Sequence, residues 1–328
     1  MNVKKIDINW NPDLSIYASE PFLNAVGDEY GWIGGFDDSG RLRCILPYTI
    51  IKKAIFRMAR FRVETIPLEG ELDIEEEKSF LNSAVEYLRS IGADMIIPAT
   101  TNTIFRIYPD GAVAAPYGSY IIDLNQPEET LWKNLHQKHR NVVRNAIKKG
   151  VEIRSGMEYL NIAYELLRDT LKRSKLGFMG HKEFTLYVRS LNENVKIFVA
   201  DYQGVVQGCA VVPFSNHSAY YLYGGSNPKT ISGANNLLQW EAIRQFREHG
   251  VERYDFVGVR INPEKGSKQE GLTRFKQRFG AQLIQGYMWK YSLNPFKYSV
   301  YNLAVRSLRG GDIVDAERHK LAGIKHII

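Results

Sequence analysis

The chain has 328 residues, 44% of them hydrophobic and 24% charged, enough to bury a sizeable core and to form about two domains. No apolar run reaches the roughly 18 residues that a membrane-spanning helix needs. Asp7 interrupts the N-terminal segment where a signal peptide would be apolar, so a cytoplasmic location is expected. The net charge of +7 is uneven: residues 126–154 and 290–328 each carry seven Lys/Arg against three acids. Two such basic regions suit an anionic partner: a phosphate, an RNA or a membrane surface.

Taken in order, residues 31–52 predict a hairpin, with Gly31–Phe36 and Arg41–Leu46 flanking the turn Asp37-Asp-Ser-Gly40. Lys52, Lys53, Arg57, Arg60 and Arg62 then interrupt apolar residues, which fits either a strand with one wet face or a loop near a phosphate. The spacing of Phe80, Leu81, Ala84, Val85 and Leu88 predicts a helix over 75–91, stopped by Gly92. Short strands follow at 94–97 and 118–124. Cys44 and Cys209 both sit in apolar runs and are expected to be buried free thiols.

A basic helix is predicted over 128–150, with Pro127 at its start and Gly150 past its end. Trp132, Leu135, Val142, Val143 and Ala146 fall on its buried face, and Lys133, Arg140, Arg144 and Lys148 form an outward stripe. That stripe is either a solvated face or a phosphate-binding one. A strand at 151–154, helices over 158–175 and 181–191, and strands at 195–200 and 205–214 come next. The stretch from 217 to 280 reads as a crossover unit: a strand 218–226, a polar loop, a helix 236–249, a strand 252–256, a second loop, and Phe275-Lys-Gln-Arg-Phe-Gly280. After Pro295, Phe296, Val300, Leu303, Ala304 and Leu308 make an amphipathic helix ended by Gly310-Gly311. It either docks on the body or touches an anionic membrane surface.

The unit from Tyr223 to Gly280 resembles the second half of a GNAT acyltransferase module, in which a helix N-terminus holds a pyrophosphate. The resemblance is closer to the FemAB family of aminoacyltransferases, short arm-less type. It is carried by the helix Leu131–Gly150, by Thr170-Leu-Lys-Arg-Ser-Lys175, by Asn235–Ile243 with Tyr254-Asp-Phe-Val-Gly258, and by Gly271–Gly280. It implies an α/β fold of two tandem GNAT-like modules with mixed sheets flanked by helices. Module 1 would cover 1–125, module 2 126–294, and a basic amphipathic tail 295–328. It further implies transfer of an amino acid from aminoacyl-tRNA to an amine of a nucleotide- or lipid-linked peptidoglycan precursor, with no cofactor or metal and with contact at the inner membrane face left open.

On this reading Lys276, between Phe275 and Phe279, is the functional cation near the reacting ester; the alternative is a surface lysine on an amphipathic helix. Tyr223 and Gly224 lie where the backbone opens to the acyl group. Asp255 is a candidate base or a strand-end hydrogen-bond acceptor, and Glu241 and Tyr223 are alternative bases. Arg173, Lys175, Arg140 and Arg144 are candidates for phosphate or RNA, Ser232 and Gly233 for the pyrophosphate position, and Trp240 for stacking on a ligand or packing between modules. An acyl-CoA-dependent N-acyltransferase acting on an amino sugar or surface polysaccharide is the second reading. Lys229-Thr-Ile-Ser-Gly-Ala-Asn235 lacks the basic residue and paired glycines such a donor site uses. A non-catalytic RNA or phospholipid binder is the third.

Overall fold

The computed structural model describes residues 1–261 and 263–325. The first half runs β1 (Asn2–Ile6), α1 (Glu20–Val26), β2 (Glu29–Phe36), β3 (Leu42–Lys53), β4 (Phe56–Phe61), β5 (Ile66–Pro67), α2 (Ile74–Ser90), β6 (Met95–Ile96) and β7 (Val113–Asp123). The second continues with α3 (Glu128–Asn134), α4 (Gln137–Lys148), β8 (Glu152–Ser155), α5 (Leu160–Arg173), α6 (His181–Ser190), β9 (Val195–Tyr202), β10 (Val205–Pro213), β11 (Ala219–Tyr220), β12 (Tyr223–Ser226), α7 (Ala234–Glu248), β13 (Arg253–Asp255), α8 (Lys268–Gln277) and β14 (Gln282–Ser292). Helices α9 (Pro295–Arg309) and α10 (Ile313–Lys325) close the chain.

Local chemistry explains most of these bounds. The Asp37 carboxylate accepts from the Ser39 and Arg41 backbone N–H groups, closing the β2–β3 turn. Asp73 caps α2 by accepting from Glu76 N, and the five apolar residues read from its spacing are the buried face. The single helix expected over 128–150 is two helices. Leu135 is extended (ψ 135°), the His136 ring nitrogen accepts from Lys138 N, and His136 N donates to the Arg278 carbonyl at 2.8 Å. Tertiary contact with the segment after α8 thus breaks a helix that local propensity would have continued.

The strands form a large mixed sheet in the order β1-β2-β3-β4-β6-β14-β7-β13-β11, with β5 beside β3, and a small antiparallel sheet β12-β10-β9-β8. The boundary read near residue 125 is crossed by the large sheet. Strand β14, from the second half, pairs antiparallel with β7 over nine residues and with β6, so it lies inside the first half's sheet. One apolar cluster also joins Ile16, Tyr17, Phe22 and Trp32 to Tyr187, Val211 and Tyr220 across the two halves. Cys44 and Cys209 are buried and unpaired.

Candidate active site

The site begins with a strand that changes sheets. The expected strand 218–226 splits: β11 pairs parallel with β13 in the large sheet, and β12 pairs antiparallel with β10 in the small one. Tyr221 N still donates to the Asp255 carbonyl at 2.8 Å, and the chain then peels away at Leu222. Leu222 and Tyr223 face a cavity of about 680 Å³ at the seam between the halves. The first half contributes Tyr17, Phe22, Arg60, Arg62 and Thr101 to its wall, and α6 contributes Glu183 and Tyr187.

Behind that wall is a turn that forces the backbone into an unusual shape. Val257 (φ 37°) and Gly258 (φ 56°) are consecutive left-handed residues. A β-branched residue there carries strain of order 1–3 kcal/mol. Asp255 holds the turn, since its carboxylate accepts from Val257 N at 2.8 Å and from the Ser119 hydroxyl. The turn aims two carbonyls at one point, and Lys276 Nζ donates to Val257 O at 2.5 Å and to Gly258 O at 2.7 Å. A Cβ on Gly258 would lie 2.6 Å from the Tyr117 hydroxyl and 3.0 Å from Thr101 Cβ, so Gly258 links Lys276 to the Thr101 wall of the cavity.

Lys276 is fixed by its neighbours. Phe275 and Phe279 pack 5.1 Å apart, His139 lies 4.7 Å from the Phe279 ring, and Phe279 packs on Phe256. Burial pushes the Lys276 amine down to about 8, with the Asp255 charge opposing. Burial also raises the Asp255 carboxyl, opposed by the Ser119 hydrogen bond and the Arg253 charge. An ammonium has three donors. Two are spent on the turn, and Lys276 itself lies behind the cavity wall and not among its lining residues.

The other sequence candidates separate. Tyr223 lines the cavity, and burial raises its hydroxyl, helped by the Glu183 charge and opposed by Arg60. Gly224 continues β12, opposite Ala210. Asp255 is the hydrogen-bond acceptor of the turn. Glu241 is occupied by Arg244 at 3.1 Å, away from this site.

Seven other candidates lie outside the cavity lining. Trp240 is buried and packs 4.9 Å from Trp132 of α3, so of its two readings packing holds, within the second half. Arg140 donates to the Lys133 and Leu135 carbonyls, capping the end of α3. Arg144 lies 5.4 Å over the Trp132 ring. Arg173 donates to Ser226 O at 2.6 Å and to Thr170 Oγ1 at 2.9 Å, tying α5 to β12, while Lys175 is exposed just beyond the helix; neither is among the cavity lining. Ser232 is exposed. A Cβ on Gly233 would collide with the Val142 carbonyl oxygen, so α4 sits directly on the N-terminus of α7.

Arg60 and Arg62, read as a wet strand face or a loop near a phosphate, line the cavity, and the residues missed as site groups are Tyr17, Tyr187, Glu183 and Ser119. For the arginines a signal existed: their two-residue spacing on a strand places them on one face.

The FemAB family profile matches residues 110–203 and 189–306 of this chain. A lipid II:glycine glycyltransferase of Staphylococcus haemolyticus is 38% identical over 83 residues, 25% of this chain and 20% of the relative. The alignment therefore spans about a fifth of that relative's length. The crystal structure of FemX superposes with a TM-score of 0.67 at 16% identity, covering 92% of this chain and 99% of that one. A tandem GNAT protein from the clavulanic acid biosynthesis pathway superposes with a TM-score of 0.50 at 12% identity, covering 89% and 98%. The fold is thus the mixed α/β arrangement of tandem GNAT-like modules.

Proposed function

We propose that this chain, which belongs to the FemAB family, is an aminoacyltransferase that moves an amino acid from aminoacyl-tRNA to an amine on a lipid-linked cell-wall precursor. The observation that carries this is Lys276, fixed by two carbonyls of a strained turn directly behind the inter-half cavity. The acceptor amine attacks the ester carbonyl. A C–N bond forms, the C–O bond to the tRNA ribose breaks, and the amine proton leaves with the ribose oxygen. The ester is already activated, so the protein's work is to position it and to stabilise the oxyanion. The remaining N–H of Lys276 supplies that stabilisation, and Tyr223 flanks the acceptor. The staphylococcal relatives are lipid II:glycine glycyltransferases, which supports an acceptor of that class.

A coenzyme A donor is disfavoured by packing. The α7 N-terminus, where such a donor's pyrophosphate would sit, is covered by Val142 and Ala146 of α4. With charged tRNA and a lipid-linked precursor, the purified chain is expected to incorporate labelled amino acid into the acceptor, and acetyl-CoA is expected to give no heat in calorimetry. Acetyl-CoA binding without tRNA-dependent transfer would overturn the reading.

A lipid-linked acceptor also calls for contact with an anionic membrane surface, and α9 supports it. Among the described residues no helix is long and apolar enough to cross a membrane. Helix α9 buries none of its residues, and Phe296 is 76% and Leu308 82% exposed. Arg306 and Arg309 lie in its last turn. Its Tyr301 packs 5.8 Å from Phe56, which brings the exposed Ile55 and Lys53 of the β3–β4 tip beside it. This is the amphipathic pattern of an interfacial helix. The chain is expected to sediment with phosphatidylglycerol vesicles, and L303E/L308E to remain in the supernatant with an unchanged circular dichroism spectrum. Equal sedimentation of both proteins would remove α9 from this role.

A further inference from the structure

The cavity contains two cations without counter-ions. Several other cations meet carboxylates, and the buried Lys276 is held by two carbonyls. Lys290 meets Asp312 and Asp315 at 2.7 and 2.8 Å, Lys297 meets Asp94 at 3.0 Å, and Arg106 meets Glu77 at 2.7 Å. Arg60 and Arg62, at the end of β4, have no carboxylate within 4 Å among the described residues. Arg60 donates through Nε to Pro98 O at 2.9 Å and through Nη2 to Ala99 O at 3.5 Å. Arg62 donates through Nε to Thr49 Oγ1 at 2.9 Å and through Nη2 to Val26 O at 2.7 Å. Each guanidinium is therefore oriented by neutral acceptors, and in each Nη1 has no partner within the described protein. Arg62 is only 6% exposed.

Two like charges enclosed together are unfavourable twice over. Burial pushes the Arg62 guanidinium down to about 9, and the Arg60 charge beside it pushes in the same direction. Burial lowers Arg60 as well. Removing a charge from water costs several kcal/mol unless an opposite charge compensates. The fold places no carboxylate within 4 Å of either guanidinium among the described residues. The cavity's carboxylates are Glu183, on α6, and Asp28, which already accepts from Lys52 N. Burial raises the Tyr223 hydroxyl, which also feels Glu183 from α6 and Arg60 from the first half.

We propose that Arg60 and Arg62 form a subsite for an oxyanion of the acceptor, a peptide carboxylate or a phosphate, held by the free Nη1 donors while Glu183 faces a positively charged part of the same molecule. The proposal rests on the reading of the cavity as the acceptor site. It makes the first half a determinant of acceptor choice, with the reacting group at Lys276 on the second. An arginine fork suits both oxyanions, and lysine does not reproduce it.

The test uses the full chain and calorimetry with three probes: a short peptide with a free C-terminal carboxylate, the same peptide amidated, and inorganic pyrophosphate. The wild type is expected to bind the free peptide or pyrophosphate but not the amide, and which of the two binds identifies the source of the oxyanion. Arg60→Gln is expected to weaken that binding about tenfold or more, and Arg60→Lys to restore only part of it. A thermal melt checks that the Arg60→Gln variant keeps the fold, and Arg62→Gln serves as the second variant. In transfer assays Arg60→Gln should raise KM for the acceptor with kcat within about threefold, since the lost bond is made equally in the ground and transition states. Binding that is unchanged in both variants, binding of none of the three probes, or a fall in kcat with KM unchanged would each overturn the subsite. Absence of transfer by the wild type would overturn the proposed function but leave the binding result to decide the subsite.

Discussion

Lys276→Ala is expected to lower transfer by about 10²–10³-fold, the usual cost of removing one oriented oxyanion donor, while the chain stays folded. The side chain sits on α8 and its ammonium bridges Val257 O and Gly258 O. Alanine removes both the bridge and the third donor. Lys276→Arg keeps the charge but not the compact geometry, and should recover only a small part of the rate.

The pH dependence separates an electrostatic role from a basic one. The amine titrates near 8 in the folded protein, against an ordinary 10.5. If the cation works, the rate falls as pH rises through about 8, and the arginine variant lacks that limb. A rate that instead rises through about 8 would assign Lys276 as a base, and an alanine variant within threefold of wild type would remove it from the mechanism. Stability follows the same shift. Below about 8 both folded and unfolded chains carry the proton and the burial penalty is complete. Between about 8 and 10.5 the folded chain loses its proton first, so this group's contribution to stability improves with pH. Denaturant melts at pH 7 and pH 9.5 should show that gain in the wild type and not in the alanine variant.

Trp289→Ala is expected to cost about 3–5 kcal/mol, as large-to-small changes at buried aromatics do. Trp289 is 2% exposed and packs 5.4 Å from Phe61 and 5.3 Å from Phe105. It lies on β14, opposite Ala114 of β7. Because β14 belongs to the second half in sequence and to the first half's sheet in space, the loss should lower a single transition of the whole chain. Urea melts followed by far-ultraviolet circular dichroism and by tryptophan fluorescence should coincide. Two separated transitions, with one half melting alone, would contradict the shared sheet. Trp289 Nε1 is buried without a hydrogen-bond partner, so Trp289→Phe, which keeps an aromatic ring and removes that donor, should cost much less than alanine.

What could be read from the chain was local or periodic. The buried face of α2 follows from apolar residues three and four apart. The β2–β3 turn follows from Asp37 and Gly40. Lys276 between two phenylalanines was legible because the motif is contiguous, and its role near a reacting ester came from the family resemblance. The basic residues were misjudged where a helix face was taken as a ligand face. Arg140, Arg144 and Arg173 each satisfy themselves on carbonyls or an aromatic ring within reach of their own helices, and outward spacing cannot reveal that.

By itself the sequence determined much of the order of elements between residues 31 and 309, the family and the one lysine flanked by two phenylalanines, because side-chain periodicity and short-range turn chemistry act between residues close along the chain. Only the tertiary structure decided where β14 is inserted, that α4 covers the N-terminus of α7, and that Arg60 and Arg62 share a cavity with Tyr223. Each of these joins residues about 90 to 190 positions apart along the chain. Such pairings depend on the energy of closing a shared sheet and core, for which no local pattern carries a signal.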